Sequence, residues 1–246
     1  LSYAKALAFA LGKPFVPVHH LEGHVASSVA EGSLEPPFLC LIASGGHTSL
    51  FEVSAWGDYR ELGRTRDDAA GEAFDKAARL LGLGFPGGPA LSRAAENGDE
   101  EAYAFSLPLK GQDGFDFSFS GLKTALATLL QKTPDASLPD LAASFERVVV
   151  ESLVAVSARA AAHTGHRDIV VAGGVAANRR LRARFEELGL RTHFPPLSLA
   201  TDNGAMIALA AQHRWERDGL ARVNPWAQDA APYSPLDERL LERASS

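Results

Sequence analysis

The chain has 246 residues, enough for one large domain or two modest ones around a buried core. Hydrophobic residues make up 46% and charged residues 22%, and the net charge of −6 excludes a global basic field for nucleic acid or anionic membrane while leaving room for a local patch. Cys40 is the only cysteine, so no internal disulfide is possible and a reducing cytoplasmic location is expected; no apolar run approaches a membrane span.

Taken in chain order, residues 3–11 read as a helix stopped by Gly12 and Pro14. The start is too short and wrongly flanked for a signal peptide and lacks an initiator Met, so the sequence is expected to be the later part of a longer protein. Phe15 to Val18 reads as a short strand leading into a histidine-bearing helix at about 20–31. Beyond the break at Pro36-Pro37, Phe38 to Ala43 is an apolar run of strand length. Thr48 to Val53 and Tyr59 to Arg64 follow as strands, the first of them after Gly45-Gly46, which gives an antiparallel hairpin. Asp67 is expected to open a helix running to Leu81, with its acids early, where they suit the helix dipole. Phe85-Pro86-Gly87-Gly88-Pro89 turns the chain, and helices are expected at about 89–98, 120–131 and 139–164. The last carries Leu141, Phe145, Val148, Val149 and Val156 as a buried stripe. A strand at 168–172 turns through Gly173-Gly174 into a helix near 178–188, then come a strand near 191–194, a helix over about 203–216 and a polar tail at 217–246. Strands alternating with helices, plus a hairpin, imply an α/β fold with a mixed sheet.

His20 and His24 stand four apart, which on a helix leaves them about 40° apart around the axis and roughly one turn apart along it. That geometry suits two imidazoles on one metal ion, with Asp202 of Asp202-Asn203-Gly204 as candidate third ligand. The competing reading is a polar helix start in which each His satisfies a backbone carbonyl, with Asp202 as a helix N-cap. Glu22 lies two residues from each His, about 200° around the helix, which disfavours the His-Glu-x-x-His chemistry of zinc proteases. It reads as a solvated surface acid or as a group orienting a ligand.

Ser44-Gly45-Gly46-His47-Thr48 joins two apolar strands, either as a tight hairpin turn or as a backbone cradle for a phosphate. Gly173-Gly174 runs from strand to helix, where nucleotides dock in α/β sheets, but lacks a full dinucleotide fingerprint. Asn178 would read a ribose or base there, or cap the helix that follows. Asp75 would accept from ribose hydroxyls, or pair with Arg79 on a solvated face. Lys110, Lys123 and the arginines at 179, 180, 182 and 184 either face phosphates or line solvated helix faces.

These motifs occur together and in order. His19-His20-Leu21-Glu22-Gly23-His24, Ser44-Gly45-Gly46-His47-Thr48, the segment from Asp67 to Lys76, Pro86-Gly87-Gly88-Pro89, Phe117-Ser118-Phe119-Ser120-Gly121-Leu122-Lys123, Ala172-Gly173-Gly174-Val175-Ala176-Ala177-Asn178 and Thr201-Asp202-Asn203-Gly204-Ala205-Met206 resemble the TsaD family and its archaeal and eukaryotic counterparts over about residues 3–215. Members of that family are tRNA N6-adenosine threonylcarbamoyltransferases. The resemblance implies an actin/Hsp70/sugar-kinase-like, ribonuclease H-like fold of two lobes, the first incomplete here. On it, residues 1–36 are a remnant of the first lobe with the metal-binding helix, 37–200 the second lobe with the nucleotide turns, and 201–246 a metal-ligand helix and tail returning to the first lobe. By similarity, His20, His24 and Asp202 bind one divalent ion, Fe²⁺ or Zn²⁺. Ile42, Ala43, Ser44, Gly45 and Gly46 line the phosphate side, and Asp75, Gly88 and Asn178 contact the nucleotide.

The implied reaction moves threonylcarbamoyl from threonylcarbamoyl-AMP to N6 of adenosine 37 in tRNAs reading codons that begin with A, without a protein nucleophile. The implied partners are tRNA and proteins resembling TsaB and TsaE, with no membrane. Family members begin with a strand-rich segment bearing a Gly-Ile-Asp-Thr-Ser-type motif, which is absent from this sequence. An actin-fold small-molecule kinase would share the glycine turns, but the histidine pair argues against it. A non-catalytic scaffold paralogue should have lost the metal ligands, which are present.

Overall fold

Six consecutive apolar residues, Phe38 to Ala43, leave no face of their strand suited to water, and in the computed structural model they form a central strand buried on both sides. The structure describes residues 1–30, 34–219, 229–231 and 235–237. Around this strand, β1 (Phe38–Ala43), stand β2 (Thr48–Ala55), β3 (Asp58–Arg64), β4 (Asp168–Ala172) and β5 (Arg191–His193), in the order β3-β2-β1-β4-β5. The β1–β2 and β2–β3 pairs are antiparallel, whereas β1–β4 and β4–β5 are parallel, so the sheet is mixed as expected.

Side chains alternate across the sheet and separate two cores. Leu39, Leu41, Ala43, Leu50, Ile169 and Val171 face one side. Helices α3 (Ala70–Leu80), α4 (Gly87–Ala95), α5 (Ser120–Lys132), α6 (Leu138–Thr164) and α7 (Arg179–Glu186) contribute to that core. The stripe on α6 is fully inside, with Leu141, Phe145, Val148, Val149 and Val156 all buried. Phe38, Cys40, Ile42, Phe51, Val53, Val170 and Ala172 face the other side, under Leu21, Val25 and Val29 from α2 (His20–Ser28) and the residue after it. Helix α8 (Gly204–Asp218) packs on α2, while α1 (Ser2–Ala10) buries none of its residues.

Two expectations are corrected. Phe15 to Val18 forms no strand. Pro17 has no N–H to offer a ladder, and its carbonyl accepts from Arg214 Nη1 at 3.1 Å rather than from a neighbouring strand. The helix expected from Asp67 begins at Ala70 instead. The Asp67 carboxylate is engaged elsewhere, accepting from Ser118 Oγ at 2.5 Å, Phe119 N at 2.7 Å and Ser120 N at 3.1 Å, and so secures the start of α5. The first amides of α3 are satisfied by the β1–β2 turn, Ala70 N donating to Thr48 Oγ1 at 2.9 Å and Gly71 N to Ser44 O at 3.1 Å.

Candidate metal centre and nucleotide cradle

His19 sits one residue before α2 and caps it, its Nδ1 accepting from Leu21 N at 3.1 Å while Glu22 Oε2 accepts from His19 N at 3.4 Å. The capping box starts the helix at His20, so His20 and His24 fall on one face with ring centroids 4.9 Å apart. Asp202 arrives from the far end of the sequence, just before α8. Its Oδ1 lies 3.6 Å from His20 Nε2 and 3.2 Å from His24 Nε2.

This trio fits a metal ion on three counts. One donor atom from each residue lies within 4.8 Å of the others. Donors on a tetrahedral ion at about 2.1 Å each stand roughly 3.4 Å apart, which the two carboxylate distances bracket. His24 is 1% exposed, and its Nε2 faces the Asp202 carboxylate at 3.2 Å inside this enclosed spot, so an ion between the two would ligate a buried nitrogen that no other described residue satisfies. Burial first, then the neighbouring His20, lowers the His24 pKa against the opposing pull of Asp202, which favours the neutral imidazole that ligates. The capping role open to Asp202 is taken by Asn203, whose Oδ1 accepts from Met206 N at 2.9 Å. That leaves the Asp202 side chain 72% exposed and facing the imidazoles.

Glu22 does point away from the ligands, but it is not a surface acid. It is 3% exposed and ion-paired to Arg214 Nε at 2.8 Å. Periodicity places a side chain around a helix; it does not say that α8 will cover that side.

The turn after β1 is closed by Ser44 N donating to His47 O at 2.8 Å and His47 N donating to Ser44 Oγ at 3.1 Å. Ile42 and Ala43 are buried at the end of β1, while Gly45 and Gly46 are exposed, with nothing within 4 Å of where a Cβ would sit. Two other glycines bring the surroundings close. A Cβ on Gly71 would stand 2.6 Å from Ser44 O, and one on Gly173, at φ +87°, would stand 2.5 Å from Ala43 O. The start of α3 and the β4 turn therefore meet the Ser44 turn backbone to backbone, at the carboxyl ends of two parallel strands. The sequence alone assigns no role to His47. Its side chain is exposed at the turn, yet partial desolvation first, and then the fields of His20 and His19, lower its pKa, which puts the turn within electrostatic reach of the histidine helix. The signal available for it is a further histidine directly after Gly45-Gly46.

The remaining candidates have structural duties of their own. Asp75 Oδ1 accepts from Gly87 N at 2.7 Å at the start of α4, which is neither of the two alternatives read from the sequence and leaves its part in nucleotide binding open to test. Gly88, the next residue, faces open space. Asn178 caps α7, Oδ1 accepting from Leu181 N at 2.8 Å, while Nδ2 donates to Ser92 Oγ at 3.1 Å and to the buried Glu146 Oε1 at 2.7 Å. The arginines of α7 are engaged. Arg180 pairs with Glu100, Arg184 with Glu151 and Glu187, and Arg179 with Glu96. Arg182 donates to the carbonyls of Ala176 and Pro195 and lies over the Phe194 ring.

Sheet order and site together define an α/β protein of the actin/sugar-kinase-like class with a histidine–carboxylate centre beside a glycine-lined turn. Its likeness to solved structures agrees. HypF from T. kodakarensis superposes with a TM-score of 0.69 at 16% identity, over 89% of this chain and 39% of that one. Full-length HypF in its phosphate- and nucleotide-bound form gives 0.69 at 17%, over 89% and 38%. The family model of TsaD, tRNA N6-adenosine threonylcarbamoyltransferase, matches residues 1–209, and the chain belongs to that family. A tRNA N6-adenosine threonylcarbamoyltransferase of Thermus thermophilus is 58% identical over 238 residues, covering 96% of this chain and 72% of that relative. The protein of the same name from Gloeobacter violaceus is 55% identical over 221 residues, 87% of this chain and 64% of its own.

Proposed function

We propose that this chain transfers the threonylcarbamoyl group of threonylcarbamoyl-AMP to N6 of adenosine 37 in tRNAs that read codons beginning with A. The observation that carries the reading is the convergence of His20, His24 and Asp202 beside the Ser44–His47 turn, in a chain of the family named for this transfer. The N6 amine attacks the carbamoyl carbon, a C–N bond forms, the C–O bond to the AMP phosphate breaks with its electron pair, and one proton leaves N6. AMP is a good leaving group, so no protein nucleophile is needed; Cys40 is buried, and burial raises its thiol pKa far from the reactive range.

His20, His24 and Asp202 hold the ion, Fe²⁺ or Zn²⁺, which when bound supplies Lewis-acid polarisation of the carbamoyl or phosphate oxygens. Ile42, Ala43 and Ser44 carry the turn, and the Ser44 hydroxyl with the Gly45 and Gly46 amides receives the phosphate. Asp75, Gly88 and Asn178 bound the nucleotide side. What these residues contribute is orientation of the two reactants and stabilisation of the charge that develops on the carbamoyl oxygen and the leaving phosphate. Adenosine 37 lies in a loop and can be presented without melting a duplex. A tRNA substrate fits a cytoplasmic location, and proteins resembling TsaB and TsaE are the expected partners. The described residues of 1–36 and 201–246 are read as belonging to the first lobe and 37–200 to the second; most of the tail expected at 217–246 lies outside the described residues.

The test supplies the protein and its partners with threonylcarbamoyl-AMP and unmodified tRNA, and measures the modified nucleoside by mass spectrometry alongside bound metal. His24→Ala is expected to lose both. Full product formation by His24→Ala with stoichiometric metal would remove the ion from the reading.

A further inference from the structure

Glu22 is a buried carboxylate that the transfer chemistry does not use. It lies between the two ligating histidines in sequence and on the opposite side of their helix. Its Oε2 does two things, accepting from His19 N at 3.4 Å and pairing with Arg214 Nε at 2.8 Å. The first contact fixes where α2 begins, and therefore which way His20 projects. The second reaches α8, the helix that Asp202 precedes. Arg214 then returns to the entry of α2 by donating from Nη1 to Pro17 O at 3.1 Å. One ion pair thus grips the start of α2 on both sides of His20 and ties it to the helix that Asp202 precedes.

Between these contacts the helices touch at Gly23. A Cβ there would stand 3.0 Å from both Ile207 Cδ1 and Met206 Cγ. Met206 and Ile207 lie between Asp202 and Arg214 in sequence, so the segment from Asp202 through α8 meets α2 at Asp202, at Gly23 and at Arg214. Contact at Gly23 alone would leave the two helices free to swivel; the outer contact removes that freedom. Surface ion pairs contribute little, but this carboxylate is almost wholly enclosed, and an unpaired charge there is costly.

We infer that Glu22 and Arg214 are positioning residues for the metal centre, a clamp across α2 and α8 that holds Asp202 at ligand distance from His20 and His24. The inference rests on the metal reading above and goes beyond it, because neither residue is a ligand. It also accounts for the acid between the histidines without giving it a role in proton transfer.

The experiment measures Zn²⁺ affinity by competition with a chromogenic chelator, and the visible absorption of the Co²⁺-substituted protein, for Glu22→Gln, Arg214→Met, Arg214→Lys, the Glu22→Gln/Arg214→Met double variant and His24→Ala. Loss of a group that orients ligands weakens metal binding by about 10- to 100-fold, so Glu22→Gln and Arg214→Met should each lose at least tenfold and alter the Co²⁺ spectrum. The double variant should lose no more than the worse single variant, and Arg214→Lys should recover most of the affinity. Arg214→Met, at the partly exposed end of the pair, carries the test if Glu22→Gln does not fold. Wild-type affinity and an unchanged Co²⁺ spectrum in the Arg214→Met protein, with binding lost in His24→Ala, would overturn the clamp and leave the metal site standing. Unchanged binding in His24→Ala would instead overturn the metal site, and the clamp with it.

Discussion

One methyl group at position 71 tests how closely the cradle is built. The atoms a Cβ would meet, Ser44 O and Gly45 Cα at 2.6 and 2.8 Å, are main chain and cannot rotate aside. Gly71→Ala is therefore expected to cost about 1–3 kcal/mol, the scale of overpacking, read from the urea midpoint, and to weaken adenylate binding by displacing the turn. Asp75→Ala removes the acceptor for Gly87 N and should cost about 1 kcal/mol, as for loss of a helix cap, with weaker adenylate binding measured by calorimetry. Wild-type affinity in that variant would make Asp75 purely structural. The histidine pair is legible in the sequence because one helical turn brings its members together without help from the rest of the fold. Asp202 is only a candidate there, because nothing local says that a residue so distant in sequence returns to the same spot. The burial of Glu22 is hidden for the same reason, since it depends on α8.

Among elements, β1, β4 and α6 are nearly complete in the sequence, because continuous apolar runs and a long apolar stripe leave few alternatives. The start of α3 is not, because Asp67 could cap either of two helices and only the folded chain decides. That choice has a pH signature. Burial opposes ionisation of Asp67, but the donors at Phe119, Ser118 and Ser120 outweigh it and hold the carboxyl below its usual range. A lowered folded pKa contributes stability that is complete above the unfolded value, about 3.9, and is lost as pH falls through the folded value. Urea denaturation should therefore show Asp67→Asn less stable than wild type at pH 7, with the gap closing only in acid below pH about 4. A constant gap across that range would mean that the charge contributes nothing.

At the scale of the molecule, the two cores carry different duties. The core under α3 to α7 holds the sheet together, and Phe145 lies at its heart, fully buried against Phe105 at 5.8 Å between ring centroids. Phe145→Ala is expected to cost about 3–5 kcal/mol in the denaturation midpoint, with loss of metal binding only as the protein unfolds. The core on the opposite face is thinner and is roofed by α2, which α8 in turn covers. Cys40 lies beneath that roof. An ion drawing His20, His24 and Asp202 together would bolt the roof shut, so this sulfur becomes a built-in gauge of metal loading. Stripping the protein with a chelator should hasten alkylation of Cys40 by a small maleimide, and adding zinc back should slow it again, long before any change in global unfolding is seen.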